Sequence, residues 1–189
     1  MKTFTYKMVV LGHYSVGKSS IVLNFVKGEF NPREESTIGA SFLTKTIFQN
    51  RCAVKYEIWD TAGQERYYSL IPMYYRGAQV ALIVYDITSQ ESFESAKRWV
   101  EELKYDKPQE FLKVLVANKM DLRESAMLDP EVGRAYAENE GLMFYETSAK
   151  TGHNIQKMFS DIAEALPKDI RKTVDGVRLR KPRKNTFCC

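Results

Sequence analysis

The eight residues Gly12-His13-Tyr14-Ser15-Val16-Gly17-Lys18-Ser19 constrain this chain more than any other stretch. They fit the pattern G-x-x-x-x-G-K-[ST], and their flanks are the ones the pattern requires. Before them, Tyr6–Leu11 is a short apolar run that reads as a buried strand; after them, Ile21, Val22, Phe25 and Val26 share one helical face. A strand that enters a glycine-bearing loop and opens a helix collects backbone N–H groups at the positive end of that helix. Such a loop suits the α- and β-phosphates of a nucleotide, with Gly12, Ser15, Val16, Gly17, Lys18, Ser19 and Ser20 as the expected contacts. Lys18 would bridge the β- and γ-phosphates, and the Ser19 hydroxyl would ligate Mg²⁺.

The rest of the chain alternates strands and helices. Ser41–Phe48 and Ala53–Asp60 flank a turn at Gln49-Asn50-Arg51 and read as a hairpin. Val80–Tyr85 and Leu112–Ala117 are largely apolar, as expected of strands that a parallel sheet buries on both faces. Between them Phe93, Ala96, Val100 and Leu103 recur at helical intervals, and Thr88 and Glu91 are spaced as a capping box. Asp129-Pro130 opens another helix, Leu142–Glu146 is a last short strand, and Ile155, Met158, Phe159, Ile162, Ala163 and Leu166 stripe a final helix that ends before Pro167. This order predicts an α/β fold: a mostly parallel six-stranded sheet with one antiparallel strand and helices on both faces. Ligands of such sheets sit at the carboxyl ends of the strands, which is where the remaining motifs fall.

Asn118-Lys119-Met120-Asp121 follows the fifth strand. The Asp121 carboxylate can accept from both N1–H and the exocyclic amine of guanine, a pair of donors that adenine lacks. Ser148-Ala149-Lys150, past the sixth strand, can offer a backbone N–H to guanine O6 and a lysine stem against the base. Asp60-Thr61-Ala62-Gly63-Gln64 follows the third strand: Asp60 can hold a magnesium-bound water, the Gly63 N–H can reach a γ-phosphate, and Gln64 can orient the attacking water as the catalytic residue. In the loop Gly28–Gly39, Thr37 is the hydroxyl that can bind both Mg²⁺ and the γ-phosphate. Loss of that phosphate would release Thr37 and Gly63 together, so both loops would relax.

With these motifs in this order, residues 5–166 resemble a Ras-superfamily small GTPase, and within it a Rab. Ser36-Thr37-Ile38-Gly39, Trp59–Tyr67 and Tyr74-Tyr75-Arg76-Gly77-Ala78 are similar to Rab signatures; Glu35–Thr44 and Leu70–Gln79 resemble the early-endosomal subgroup. The resemblance implies a P-loop GTPase fold, GTP and GDP as substrate and product with Mg²⁺, and Phe30 packed on the guanine. It further implies an effector-reading surface of Phe42, Trp59 and Tyr74. The expected partners are exchange factors, activating proteins, effectors, a GDP-dissociation inhibitor and the prenylation machinery. The expected setting is the cytoplasmic face of endosomal membranes with a cytosolic pool, regulating vesicle traffic.

Charge and cysteines complete the reading. With 189 residues the chain has the length of one domain, taken as residues 1–167. The net charge is +4, but from Lys168 onward eight Lys/Arg stand against Asp169 and Asp175, a balance of +6 that leaves the body near −2. Residues 168–189 read as a flexible basic tail acting electrostatically rather than as a nucleic-acid face. The chain ends in Cys188 and Cys189, and resemblance to Rabs with this ending implies geranylgeranyl groups on both. No apolar run reaches the roughly eighteen residues of a membrane span, no nucleic-acid partner is expected, and the body is expected to be a monomer. One departure stands out: Tyr14 occupies a loop position that is small in most relatives. It argues for an alternative, a guanine-nucleotide scaffold that hydrolyses GTP very slowly, whereas the Asn-Lys-Met-Asp loop argues against a nucleoside kinase.

Overall fold

A run such as Val-Ala-Leu-Ile-Val-Tyr has no polar face to turn to water and is stable as a strand only when covered on both sides. In a computed structural model, which describes residues 2–49, 52–106 and 111–167, this run forms β4 (Val80–Asp86), every residue of which is buried. The other elements are β1 (Lys2–Gly12), α1 (Lys18–Lys27), β2 (Ala40–Gln49), β3 (Cys52–Thr61), α2 (Ile71–Tyr75), α3 (Gln90–Asp106), β5 (Leu112–Asn118), α4 (Pro130–Glu140), β6 (Met143–Glu146) and α5 (Ile155–Ala165), with short 3₁₀ turns at Glu65–Leu70 and Met120–Ser125. The strands form one sheet in the order β2-β3-β1-β4-β5-β6, parallel except for the antiparallel β2–β3 pair. This is the expected P-loop GTPase architecture.

Alternation along β1 divides the core. Tyr6, Met8 and Val10 face one side with Phe25 of α1 and Phe159 of α5, whose rings stack at 3.6 Å. Val9 and Leu11 face the other, with Trp99, Val100 and Leu103 of α3 and Ile71 of α2. The register then aligns the strand ends: Val10 lies opposite Asp60, Gly12 opposite Val84, and Asp86 opposite Asn118. Loops leaving β1, β3, β4 and β5 therefore emerge on one rim.

The structure departs from the sequence expectations in three places. β1 starts at Lys2 instead of Tyr6, because Lys-Thr-Phe-Thr-Tyr alternates polar and aromatic residues and pairs with β3 from Cys52 onward. Helical structure forms between Glu65 and Tyr75, where no element was expected. Thr88 and Glu91 do not cap α3: the Thr88 hydroxyl donates to Asp86 Oδ1 at 2.7 Å, and Ser89 Oγ accepts the Ser92 N–H at 3.2 Å instead. The α4 start agrees with its reading, since Asp129 accepts the Glu131 N–H at 3.0 Å with Pro130 in the first turn. Asn50 and Arg51 of the hairpin turn, and the tail 168–189 with Cys188 and Cys189, lie outside the described residues. None of the described helices is long and apolar enough to cross a membrane.

Candidate functional site

A cleft of about 300 Å³ opens on that rim. Of the residues singled out by sequence, Ser15, Gly17, Lys18, Ser19, Ser20, Phe30, Thr37, Gly63, Gln64 and Lys119 line it. Gly12 and Val16 are buried behind the loop, and Asn118, Asp121 and Ser148-Ala149-Lys150 adjoin it through the contacts described below.

The loop between β1 and α1 takes left-handed or related positive-φ backbone at Gly12, Ser15 and Gly17, the kind of conformation that curls N–H groups into an anion-binding concavity. No side chain caps α1, so the amides of its first turn are left to another acceptor. Lys18 is 6% exposed. Its Nζ donates to the carbonyls of Gly12 at 3.1 Å and His13 at 2.8 Å, and it forms no salt bridge among the described residues. Burial pushes this ammonium down to about 8, against the pull of the Asp60 carboxylate in the other direction. A buried cation whose hydrogen bonds go to carbonyls, with no carboxylate in direct contact among the described residues, is an electrostatic demand for an anion.

Beside it sits a cluster of oxygens. Ser19 Oγ donates to Asp60 Oδ2 at 2.6 Å and lies 2.9 Å from Thr37 Oγ1; Thr37 and Ser41 hydroxyls approach the same Oδ2 at 3.5 Å. Asp60 is 1% exposed, its Oδ1 has no hydrogen-bond partner among the described residues, and burial raises its carboxyl pKa from the ordinary value. Hard oxygen donors around a carboxylate with an unused oxygen fit Mg²⁺, which binds through few protein ligands and fills its octahedron with water and phosphate. No group of three or more His, Cys, Asp or Glu among the described residues offers an all-protein cage. The cluster also joins three elements, since Ser19 lies in the first turn of α1, Thr37 in the 28–39 loop and Asp60 near the end of β3.

Gly63 closes the far wall. A Cβ there would lie 2.5 Å from the His13 carbonyl and from Lys18 Nζ, so only glycine lets this backbone approach the loop. Gln64 follows at the mouth.

On the opposite side the Asn118 side chain, fully buried, is a tie. Its Nδ2 donates to Val16 O at 2.9 Å, and its Oδ1 accepts from Thr147 Oγ1 at 3.1 Å and Ala149 N at 3.2 Å. Gly17 gives it room: a Cβ at that residue would meet Asn118 Nδ2 at 2.5 Å. Asp121 Oδ1 accepts from the Ser148 hydroxyl at 2.6 Å, and Lys150 Nζ stands 4.0 Å from its Oδ2. Lys119, in left-handed backbone, reaches into the cleft while its Nζ pairs with Asp86 Oδ2 at 2.7 Å. Phe30, 38% exposed, stands at the same mouth.

Asn31, Pro32 and Glu34, which the sequence did not single out, line the cleft beside Phe30 and Thr37, as do Glu35 and Ser36, named there only as part of family-like stretches. A loop without periodicity gives no signal for its individual members. Sequence reasoning also passed over Asp86, whose Lys119 contact follows from the register with Asn118. Tyr14, 53% exposed, also lines the cleft, with its ring 4.3 Å from that of His13. Away from the cleft, Trp59 lies between Phe42 at 5.1 Å and Tyr74 at 5.5 Å between ring centroids, so the three aromatics form one surface.

Comparison with known proteins bears on this arrangement. Residues 7–168 match the sequence model of the Ras family. The chain is 52% identical, over 167 residues, to Ras-related protein Rab-5A of Dictyostelium discoideum, an alignment covering 88% of this chain and 83% of that protein.

Proposed function

This chain belongs to the Ras family as a Rab-type small GTPase, a GTP hydrolase of vesicle traffic, and we propose that it works by alternating between a GTP-bound active and a GDP-bound inactive form on endosomal membranes. The observation that carries the reading is the contact of Ser19 Oγ with Thr37 Oγ1 at 2.9 Å beside the half-satisfied Asp60 carboxylate. It joins a hydroxyl of the 28–39 loop to the helix that receives the phosphates, where a γ-phosphate and its cation would meet.

In this mechanism the loop amides from Ser15 to Ser20 and the Lys18 ammonium receive the phosphates, and anion binding relieves the cost of burying Lys18. Ser19 and Thr37 supply hydroxyl ligands for Mg²⁺, and Asp60 holds a water of its shell. When bound, Mg²⁺ neutralises charge developing on the β–γ bridge. Gly63 donates its N–H to the γ-phosphate, and Gln64 aligns the attacking water, so catalysis rests on positioning and electrostatics. Asp121 selects guanine by accepting from two donors on one edge, with Lys119, Lys150 and Phe30 packing the base. Hydrolysis removes the ligand shared by Thr37 and Gly63, and the two loops relax. Phe42, Trp59 and Tyr74 would report that state to effectors. Exchange factors, activating proteins and a GDP-dissociation inhibitor would act on it, with the chain held to the membrane through lipids on Cys188 and Cys189.

Hydrogen exchange tests the proposal. Residues 34–38 and 63–68 are expected to gain protection with a non-hydrolysable GTP analogue relative to GDP, and Thr37→Ala is expected to abolish the gain at 34–38 while GDP still binds. Equal protection in the two nucleotide states of the unmodified protein would overturn the switch.

A second reading has one observation in its favour. Tyr14 shares the cleft with Gln64, and a phenol there would hold the protein in its GTP form by slowing hydrolysis.

A further inference from the structure

Side chains alternate along β2, and its inward side carries one residue out of character. Leu43 and Ile47 pack against the core that contains α1. Lys45 stands between them, half-buried and paired in register with the buried Tyr56 of β3. An ammonium among apolar neighbours needs an acceptor. It finds one at the end of α1, where Lys45 Nζ donates to the Val26 carbonyl at 3.0 Å and lies 6.0 Å from the centre of the Phe25 ring. The last carbonyls of a helix have no partners within it, and this negative end of the helix favours a cation. Gly28, in left-handed backbone, donates its N–H to the Asn24 carbonyl, and Gln156 Nε2 of α5 donates to Phe25 O at 3.3 Å. Lys45 serves the next carbonyl from β2.

The place of this bond in the chain gives it a second consequence. Helix α1 ends at Lys27 and β2 begins at Ala40. Between them runs the 28–39 loop, which brings Phe30 and Thr37 to the cleft. Val26 lies just before that loop and Lys45 beyond its far end, each in a regular element. Their bond therefore closes the loop across its base. Without it, the last turn of α1 loses an anchor and joins the segment that has to be ordered around a ligand. A longer segment has more conformations to give up on closing.

We propose that Lys45 is a positioning residue for nucleotide retention: by bracing the Val26 carbonyl it fixes the base of the 28–39 loop, and so holds Phe30 against the bound nucleotide. The inference rests on the reading of this loop as part of the guanine-nucleotide site. It gives the inward side of β2 a task separate from the aromatic surface that Phe42 forms with Trp59 on the other side.

The test follows release of N-methylanthraniloyl-GDP from the full chain, with Mg²⁺ and excess unlabelled GDP. The proteins compared are the unmodified chain, Lys45→Met, Lys45→Arg, Gln156→Leu and Phe30→Ala, with hydrogen exchange and thermal unfolding of each GDP-bound form. Lys45→Met keeps the apolar stem and removes the donor. It is expected to release nucleotide about three- to tenfold faster, the worth of one hydrogen bond, with faster amide exchange confined to residues 25–38. Lys45→Arg keeps a charged donor and is expected to stay near the unmodified rate. Gln156→Leu uncaps the same helix end without touching the link to β2, and is expected to stay near that rate as well. If Lys45→Met releases nucleotide at the unmodified rate while Phe30→Ala speeds release, the brace plays no part in retention and the inference is wrong, with the loop reading intact. Equal acceleration by Gln156→Leu and Lys45→Met, or faster exchange spread over the whole sheet, would mean that the fold alone was loosened, and overturns it too. If Phe30→Ala leaves release unchanged, the loop reading itself fails and takes this inference with it.

Discussion

The Asn118 side-chain amide donates to the Val16 carbonyl at 2.9 Å, across 102 positions of sequence. With Thr147 and Ala149 on its Oδ1, this one buried amide holds three loops in register. Asn118→Ala would strand a buried carbonyl, a hydroxyl and an N–H at once. Unsatisfied buried groups cost about 1–3 kcal/mol each before relaxation, so the variant should lose about 2–4 kcal/mol of stability and release nucleotide faster. Urea unfolding at saturating GDP, with the GDP dissociation rate measured beside it, checks this. A dissociation rate equal to that of the unmodified protein would mean the loops hold one another without the tie.

Across the sheet, α4 meets β4 at Gly133 and Tyr85. A Cβ on Gly133 would stand 2.1 Å from the Tyr85 hydroxyl, which is buried and has no hydrogen-bond partner among the described residues. Overpacking of this kind costs about 1–3 kcal/mol, the expected loss for Gly133→Ala. Tyr85→Phe removes a buried oxygen that bonds to nothing, so it should be neutral or stabilising by up to about 1 kcal/mol. It should also recover much of the Gly133→Ala loss in the double variant. Thermal unfolding of the four proteins closes the cycle, and additive losses would refute the contact.

Local signals were legible where one residue type has one use. The apolar runs became β4 and β5, Asp129-Pro130 became the start of α4, and the glycine-rich loop became a wall of the cleft. Competition between partners was not legible. Thr88 has a capping residue's spacing, yet Asp86 two positions earlier captures its hydroxyl. Long-range side-chain ties were hidden for a different reason: nothing near Asn24 or Asn118 in sequence hints that their amides reach Ala149 and Val16. Those contacts exist only once the sheet order has brought the loops after β5 and β6 beside α1 and the loop that precedes it.

Membrane attachment is open to a direct test at the end of the chain. Two prenyl groups hold a protein where a single modest chain holds it only marginally, and basic residues near anionic lipid add about 1 kcal/mol each. Changing Cys188 and Cys189 together to serine should therefore move the protein from membranes to the cytosol while nucleotide binding stays intact. Fractionation of cells expressing the double variant measures this. Retention on membranes would show that the terminal cysteines are not the anchor.

Tyr14 bears on the rate of hydrolysis. Its ring rests on that of His13 at a centroid distance of 4.3 Å, and His13 Nε2 lies 3.6 Å from Glu91 at the start of α3. The phenol thus lines the same cleft as Gln64, and it is expected to crowd the space that Gln64 and an activating protein's side chain need for an in-line water. Displacements of about 1 Å in such a geometry can cost on the order of a hundredfold. Intrinsic turnover should accordingly lie at or below the roughly 10⁻⁴ s⁻¹ scale of unassisted Ras, and Tyr14→Ser should raise it, with and without an activating protein. His13→Ala, which frees the ring without removing it, should fall between the two. Should the phenol instead donate to the γ-phosphate, Tyr14→Phe would speed hydrolysis as Tyr14→Ser does, although its ring fills the same space. Single-turnover GTP hydrolysis of the four proteins separates obstruction from hydrogen bonding, and equal rates in all of them would mean that Tyr14 has no part in the reaction.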